Sequence, residues 1–191
     1  MTLQSHAQEL YGSLLQAGLF PGSAPLIPND FVPSTQLGIA FGDKAVALGN
    51  LFRVSEVKAA PTISFASEAG SSGSETYALL LIDPDAPTPD DPKFAYWRHW
   101  VISGLKPGEK IDNVPALTEY LGPGPKDDSR PHRYLFLLFR EPEGLALSRE
   151  DVGGEEFVQR RSFKAAEWVQ QHGLVLVGVN WMLGAGDGWT E

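Results

Sequence analysis

Asp83, Asp85, His99 and His132 are the residues of this chain whose types and spacing could do chemistry together. The two carboxylates end an apolar run, "YALLLIDPD". His99 sits between Trp97 and Trp100 at the start of "WRHWVISGL", and His132 opens "HRYLFLLFRE". Strand tips are where folds present ligand groups, because a rigid element holds them while irregular loops wall them in. Taken singly, Asp-Pro-Asp is more often simply a turn closed by its own side chains, and a strand-end histidine more often a satisfied structural residue than a ligand. Together with the adjacent aromatics they point to a pocket. Two imidazoles beside a carboxylate can hold an anion through N–H donors, and can also move protons near neutral pH.

Other chemistries find less support. Asp83, His99 and His132 contain the elements of a two-histidine, one-carboxylate metal site, but the tight ligand spacings are absent and no metal is expected. There is no Gly-x-Ser-x-Gly elbow and no phosphate-binding loop. "GAGDG" follows a strand pattern but opens no helix, so it is not a dinucleotide fingerprint. The absence of cysteine removes thiol nucleophiles, thiolate metal sites and disulfides. No cofactor is called for. Of the four histidines, His6 and His172 fall on helical segments and are expected to be solvated, His172 favourably so at a helix C-terminus.

The elements that must position the polar residues follow from periodicity. Leu3, Ala7, Leu10, Leu14, Leu15 and Ala17 recur at helical spacing, with Gly18 as a stop. "FPGSAPLIPNDFVPS" reads as extended and irregular. "TQLGIAF" and "KAVAL" flank a Gly-Asp hairpin signal, and "PTISFAS" is a further strand. "EAGSSGSE" is a flexible loop entering "TYALLLID". "HRYLFLLFRE" is apolar nearly throughout, as a central strand covered on both faces must be. "SFKAAEWVQQHGL" predicts a late helix with Ser162 as cap and Gly173 as stop, and "LVLVGVNWML" a closing strand. The sum is a mainly β fold with a helix near each end, one domain over 1–191.

At 191 residues the chain can bury a sizeable core. Its 20 glycines and 15 prolines favour a loop-rich β fold over a bundle. A net charge of -9 repels nucleic acid and anionic membranes at long range, so neither is an expected partner. The first twenty residues have neither a basic region nor an unbroken apolar core, and no stretch reaches membrane-spanning length. A soluble cytoplasmic protein is expected.

Two long blocks carry a resemblance. "YALLLIDPDAPTPDDPKFAYWRHW" resembles the signature of the phosphatidylethanolamine-binding protein family, with His99 at the family's distance from the Asp-Pro-Asp turn. "GPGPKDDSRPHRYLFLLF" resembles its second block, Gly-Pro-x-Pro-Pro followed by Gly-x-His-Arg-Tyr. "ALGNLFRVSEV", the late helix and the closing strand are similar to the fungal carboxypeptidase Y inhibitor branch. The resemblance implies a large central antiparallel sheet packed with a smaller one and flanked by helices, with a small-anion pocket at one sheet end. It implies that Asp83, His99, His132 and Tyr134 line the pocket while Trp97 and Pro125 wall it. Pro87 and Asp85 belong to the shaping turn, Arg133 pairs with a carboxylate, and Ala86–Pro87 is a candidate cis bond. Lys126 and Arg130 stand where the family has proline and glycine; either adds a cation for a carboxylated ligand or faces solvent, the second being the expectation.

The resemblance implies a non-catalytic protein that binds a phosphate- or carboxylate-bearing ligand such as a phospholipid head group. It further implies a role against serine carboxypeptidases through the N-terminal segment. The alternative is an enzyme or accessory protein of fungal secondary metabolism, in which Asp83, His99 and His132 assist cyclisation or dimerisation of a carboxylated substrate as acid and base.

Overall fold

The computed structural model describes residues 2–111 and 114–191. Among the described residues nine strands form two sheets. The smaller has the order β2 (Lys44–Ala45), β1 (Gly38–Phe41), β4 (Thr62–Ser64). The larger has the order β3 (Leu51–Arg53), β9 (Val175–Ala185), β8 (His132–Arg140), β5 (Tyr77–Asp83), β6 (Trp97–Leu105), β7 (Ala116–Thr118). All its pairings are antiparallel except the edge pair β3–β9. Among the described residues there are also helices α1 (Leu3–Gln16), α2 (Arg149–Val152) and α3 (Ala165–Gln171) and the 3-10 turns Val54–Val57 and Phe157–Arg160.

The apolar runs of β5 and β8 are continuous because each face meets a different core. Ala78, Leu80 and Ile82 join Leu135, Leu137 and Phe139 on the helical side, against Leu10 and Leu14 of α1 and Trp168 of α3. Tyr77, Leu79 and Leu81 join Tyr134, Phe136 and Leu138 on the other side, against Ile39 and Phe41 of the small sheet. Period-2 alternation thus sorts one apolar sequence between two cores. Each buried Leu, Ile or Phe among them contributes about 1.5–3 kcal/mol by burial.

Four local expectations change. The segment after α1 is not extended: it closes turns, with Ser23 N–H on Leu19 O at 2.9 Å and Ile27 N–H on Ser23 O at 3.0 Å, and so buries Leu26 and Ile27. Ser162 does not cap α3. It takes a φ of 53° and donates its N–H to Phe94 O, leaving Lys164 at the cap position without a side-chain cap bond. His172 is only half exposed, packed on Trp168 at 5.2 Å between ring centroids. His6 is buried at 4% exposure, because the inward stripe of α1 is His6, Leu10 and Leu14 at i, i+4, i+8. Leu3, Tyr11 and Leu15 consequently face outward. Among the described residues no helix is long and apolar enough to cross a membrane.

The buried His6 predicts a pH effect. Its Nε2 has no hydrogen-bond partner among the described residues, and burial pushes its pKa below the ordinary value. The unfolded chain therefore binds the proton more readily. Stability is complete above the unfolded pKa of about 6.5 and declines as pH falls through it. His6→Leu should flatten that decline and gain about 1 kcal/mol at acid pH. Thermal melts of both proteins across the histidine range check this; parallel curves would contradict it.

Candidate functional site

The polar residues meet where β5, β6 and β8 end. β5 stops at Asp83 because Pro84 follows and Asp83 Oδ1 accepts the N–H of Asp85 at 2.6 Å, closing the turn. His132, the first residue of β8, donates Nδ1–H to the other oxygen, Asp83 Oδ2, at 2.9 Å. Both side chains are buried. His132 Nε2 lies 3.1 Å from the Ser129 hydroxyl, so each ring nitrogen has a protein partner. One carboxylate thereby fixes a turn and the orientation of an imidazole.

His99 reaches the same place through a β-bulge. Leu81 pairs with Trp100 and Ile82 with Arg98, so His99 has no opposite residue in β5. The extra residue lets Trp97, His99 and Trp100 depart from strict alternation. His99 packs edge-on to Tyr134 at 5.3 Å, and Tyr134 stacks on His132 at 6.1 Å with 13° between ring planes. His99 Nδ1 lies 2.6 Å from Leu121 O. A carbonyl only accepts, so Nδ1 carries the hydrogen and Nε2 of the neutral ring presents a lone pair.

Electrostatics follow from burial. Desolvation lowers the His99 pKa, and the opposing attraction of Asp83 does not prevail, so the ring is neutral near pH 7. Burial first, then the charges of Asp83 and Asp85, push the Tyr134 phenol well above its usual range, keeping it a donor. These groups face a cavity of about 380 Å³, which Trp97, Pro125, Pro87, Phe94, Phe157 and Arg161 help to wall.

Of the eight residues expected at the site, seven line this cavity: Asp83, Pro87, Trp97, His99, Pro125, His132 and Tyr134. Asp85 does not. It turns away and receives Arg133 through N–H at 2.8 Å, Nε at 2.9 Å and Nη2 at 2.6 Å. Arg133 Nη1 continues to Ala17 O, tying the end of α1 to the turn. Ala86–Pro87 is cis. Arg130 pairs with Asp90 at 2.6 Å and is absent from the cavity, whereas Lys126 lies at its rim. Phe94, Phe157 and Arg161 were not foreseen, because Phe94 and Arg161 come from irregular segments and Phe157 from a 3-10 turn, Phe157–Arg160, too short to show a periodicity. The pairing of apolar Phe157-Val158 with Arg160-Arg161 was the one available signal. The glycines of "GAGDG" serve close approach: a Cβ on Gly184 would lie 2.5 Å from the Tyr134 ring. Among the described residues no three His, Cys, Asp or Glu side chains cluster as metal ligands.

The expectation that both imidazoles aim N–H donors into the pocket needs revision. Their Nδ1–H groups are spent on Asp83 and Leu121 O. The neutral His99 ring then presents a lone pair at Nε2, beside the Tyr134 hydroxyl. An anion meets repulsion there unless a proton comes with it.

Comparison with known proteins agrees with this architecture. A family model described as phosphatidylethanolamine-binding protein matches residues 42–181. The Protein MOTHER of FT and TFL1 homolog 2 of Oryza sativa subsp. japonica is 31% identical over 111 residues, spanning 58% of this chain and 60% of that relative. Carboxypeptidase Y inhibitor, solved in complex with its cognate proteinase, superposes with a TM-score of 0.81 at 24% identity, covering 95% of this chain and 97% of its own. A phosphatidylethanolamine-binding protein from Plasmodium vivax superposes at 0.74 with 24% identity, covering 93% and 97%.

Asp85 and His132 have separable structural weights. Asp85→Asn leaves the Arg133 guanidinium without its carboxylate and should cost about 2–4 kcal/mol, discounted for the partial exposure of Arg133. His132→Ala strands Asp83 Oδ2 in a buried site and should cost about 1–3 kcal/mol. Urea unfolding of both variants checks the order; an unchanged midpoint for Asp85→Asn would remove the pair from the account.

Proposed function

This chain belongs to the phosphatidylethanolamine-binding protein family, and we propose that it is a binding protein whose cavity receives a phosphate- or carboxylate-bearing ligand together with a proton. The observation that carries the reading is the buried His99, whose Nδ1–H is held by Leu121 O and whose Nε2 has no partner among the described residues. An anion supplies what that nitrogen lacks: its charge raises the depressed pKa, and the ring converts from acceptor to cationic donor. Asp83 holds His132 alongside and keeps the floor rigid. The apolar wall of Trp97, Phe94 and Phe157 suits an apolar body behind the anionic head. Acid–base catalysis by Asp83, His99 and His132 gains no separate support. Both Asp83 oxygens are already occupied, by His132 and by the N–H of Asp85.

The sign of the pH effect follows. Free His99 titrates below about 6.5, and the bound state holds the proton to higher pH. Affinity for inorganic phosphate or acetate should therefore rise as pH falls from about 7.5 toward 5, by up to about tenfold per unit for one proton taken up. NMR titrations of His99 and His132 measure it. Affinity that increases with pH, or no response of His99, would contradict the reading.

A second reading, partnership with a serine carboxypeptidase, is supported by the fold likeness to carboxypeptidase Y inhibitor and by one surface. Leu3, Tyr11 and Leu15 are 41%, 48% and 47% exposed on the outer face of α1. Deleting the helix would also remove the core residues Leu10 and Leu14, so point changes are the cleaner probe. Tyr11→Ala with Leu15→Ala should weaken carboxypeptidase Y inhibition about tenfold or more. Phosphate binding should not change, since neither residue lines the cavity. Inhibition that is absent in the parent protein, or intact in the double variant, would end this reading.

A further inference from the structure

Arg161 stands apart from every other arginine in the chain. Arg130, Arg133, Arg140 and Arg149 pair with carboxylates. Arg53, Arg98 and Arg160 donate to carbonyl oxygens. The Arg161 side chain makes no hydrogen bond and no ion pair among the described residues, and its Nε is buried without a partner. Yet the side chain is fixed. Its guanidinium lies 4.1 Å from the Phe94 ring centroid, 5.5 Å from that of Phe157 and 5.9 Å from that of Trp97. The backbone on either side is clamped as well. Arg160 donates to His99 O at 3.1 Å and Glu119 O at 2.9 Å, while Ser162 N–H reaches Phe94 O at 3.0 Å.

A guanidinium stacked on aromatic rings keeps its edge free for planar, bidentate anion contacts, and ordering it in advance lowers the cost of binding. Arg161 lines the same cavity as His99 and His132. Lys126 lies at the rim, and among the described residues Asp83 is the sole carboxylate in the lining. Two permanent cations against one carboxylate make this a cationic spot on a chain of net charge -9. With the proton that His99 acquires, the excess becomes two positive charges.

We propose that Arg161 is the specificity-determining residue of this cavity, selecting a doubly charged phosphate monoester on an apolar body over singly charged anions. The inference rests on the anion-binding reading above and adds the charge of the ligand. A phosphate monoester reaches the cavity either as a soluble molecule or as the head group of phosphatidate, and the two sources are distinguished below.

The test compares phenyl phosphate, a dianion above its second pKa of about 6, with methyl phenyl phosphate, a monoanion with the same aromatic body. Calorimetric titration near neutral pH should show wild type binding the monoester about 10- to 100-fold tighter, the worth of one charge-assisted bidentate contact. Arg161→Gln should abolish that preference, the monoester losing about 10- to 100-fold and the diester less, while an unchanged melting temperature shows that the variant is folded. Arg161→Lys should restore only part of it, because lysine keeps the charge but loses the stacked plane. Equal binding of the two probes by wild type, or a preference that survives Arg161→Gln, overturns the role of Arg161 and leaves the anion cavity standing. Failure of wild type to bind either probe overturns both. Sedimentation with phosphatidylcholine vesicles, with and without phosphatidate, then assigns the source. Wild type carried down by phosphatidate vesicles, with Arg161→Gln left in solution, identifies the lipid head group; dependence confined to phenyl phosphate identifies a soluble monoester.

Discussion

The Asp83 carboxylate is the constraint on which the rest of the site depends. Its two oxygens are divided between the N–H of Asp85 and Nδ1–H of His132. The first bond ends β5 and turns Asp85 toward Arg133; the second fixes the imidazole that opens β8. Because β5 and β8 are neighbours at the centre of the large sheet, a single side chain joins the tips of both. Burial makes this arrangement stringent: a carboxylate at 3% exposure is tolerated only when its hydrogen bonds are made. Arg133 carries the constraint outward to the end of α1 through Ala17 O.

The same burial determines what the cavity can accept. A solvated imidazole would be partly cationic near neutral pH and would hold an anion without further change. His99 is instead desolvated, bonded through Nδ1 to a carbonyl, and neutral. The cations that remain permanently charged are at the rim, where Lys126 is exposed and Arg161 half-buried against aromatic rings. In the reading proposed here, permanent charge at the mouth draws an anion in, the proton taken up at the floor retains it, and occupancy is coupled to proton uptake by this arrangement of donors rather than by the fold.

Much of this was legible in the sequence, for identifiable reasons. β5, β6, β8 and β9 carry long apolar runs bounded by Pro, Gly or charged residues, and strands covered on both faces must be written that way. Asp83, His99 and His132 stood out because polar residues at the ends of such runs are costly unless they are used. What was hidden depends on contacts distant in sequence. Leucines around most of α1 obscured which stripe faces inward, so the burial of His6 was missed. The donor direction of His99 is set by Leu121 O, which no local pattern announces. Ser162 has the composition of a cap but is recruited by Phe94 O instead. Arg161 enters the cavity only because Arg160 pins an irregular segment to β6 and its neighbours.

The protonation of the two imidazoles tests this account most directly. A long-range proton–nitrogen correlation experiment on uniformly nitrogen-labelled protein near neutral pH reads the state of each ring nitrogen, first free and then with saturating phosphate. The account predicts that free His99 carries hydrogen on Nδ1 alone and that phosphate protonates Nε2, while His132 keeps Nδ1–H on Asp83 throughout. A free His99 already protonated on Nε2, or one that phosphate leaves unchanged, would contradict it.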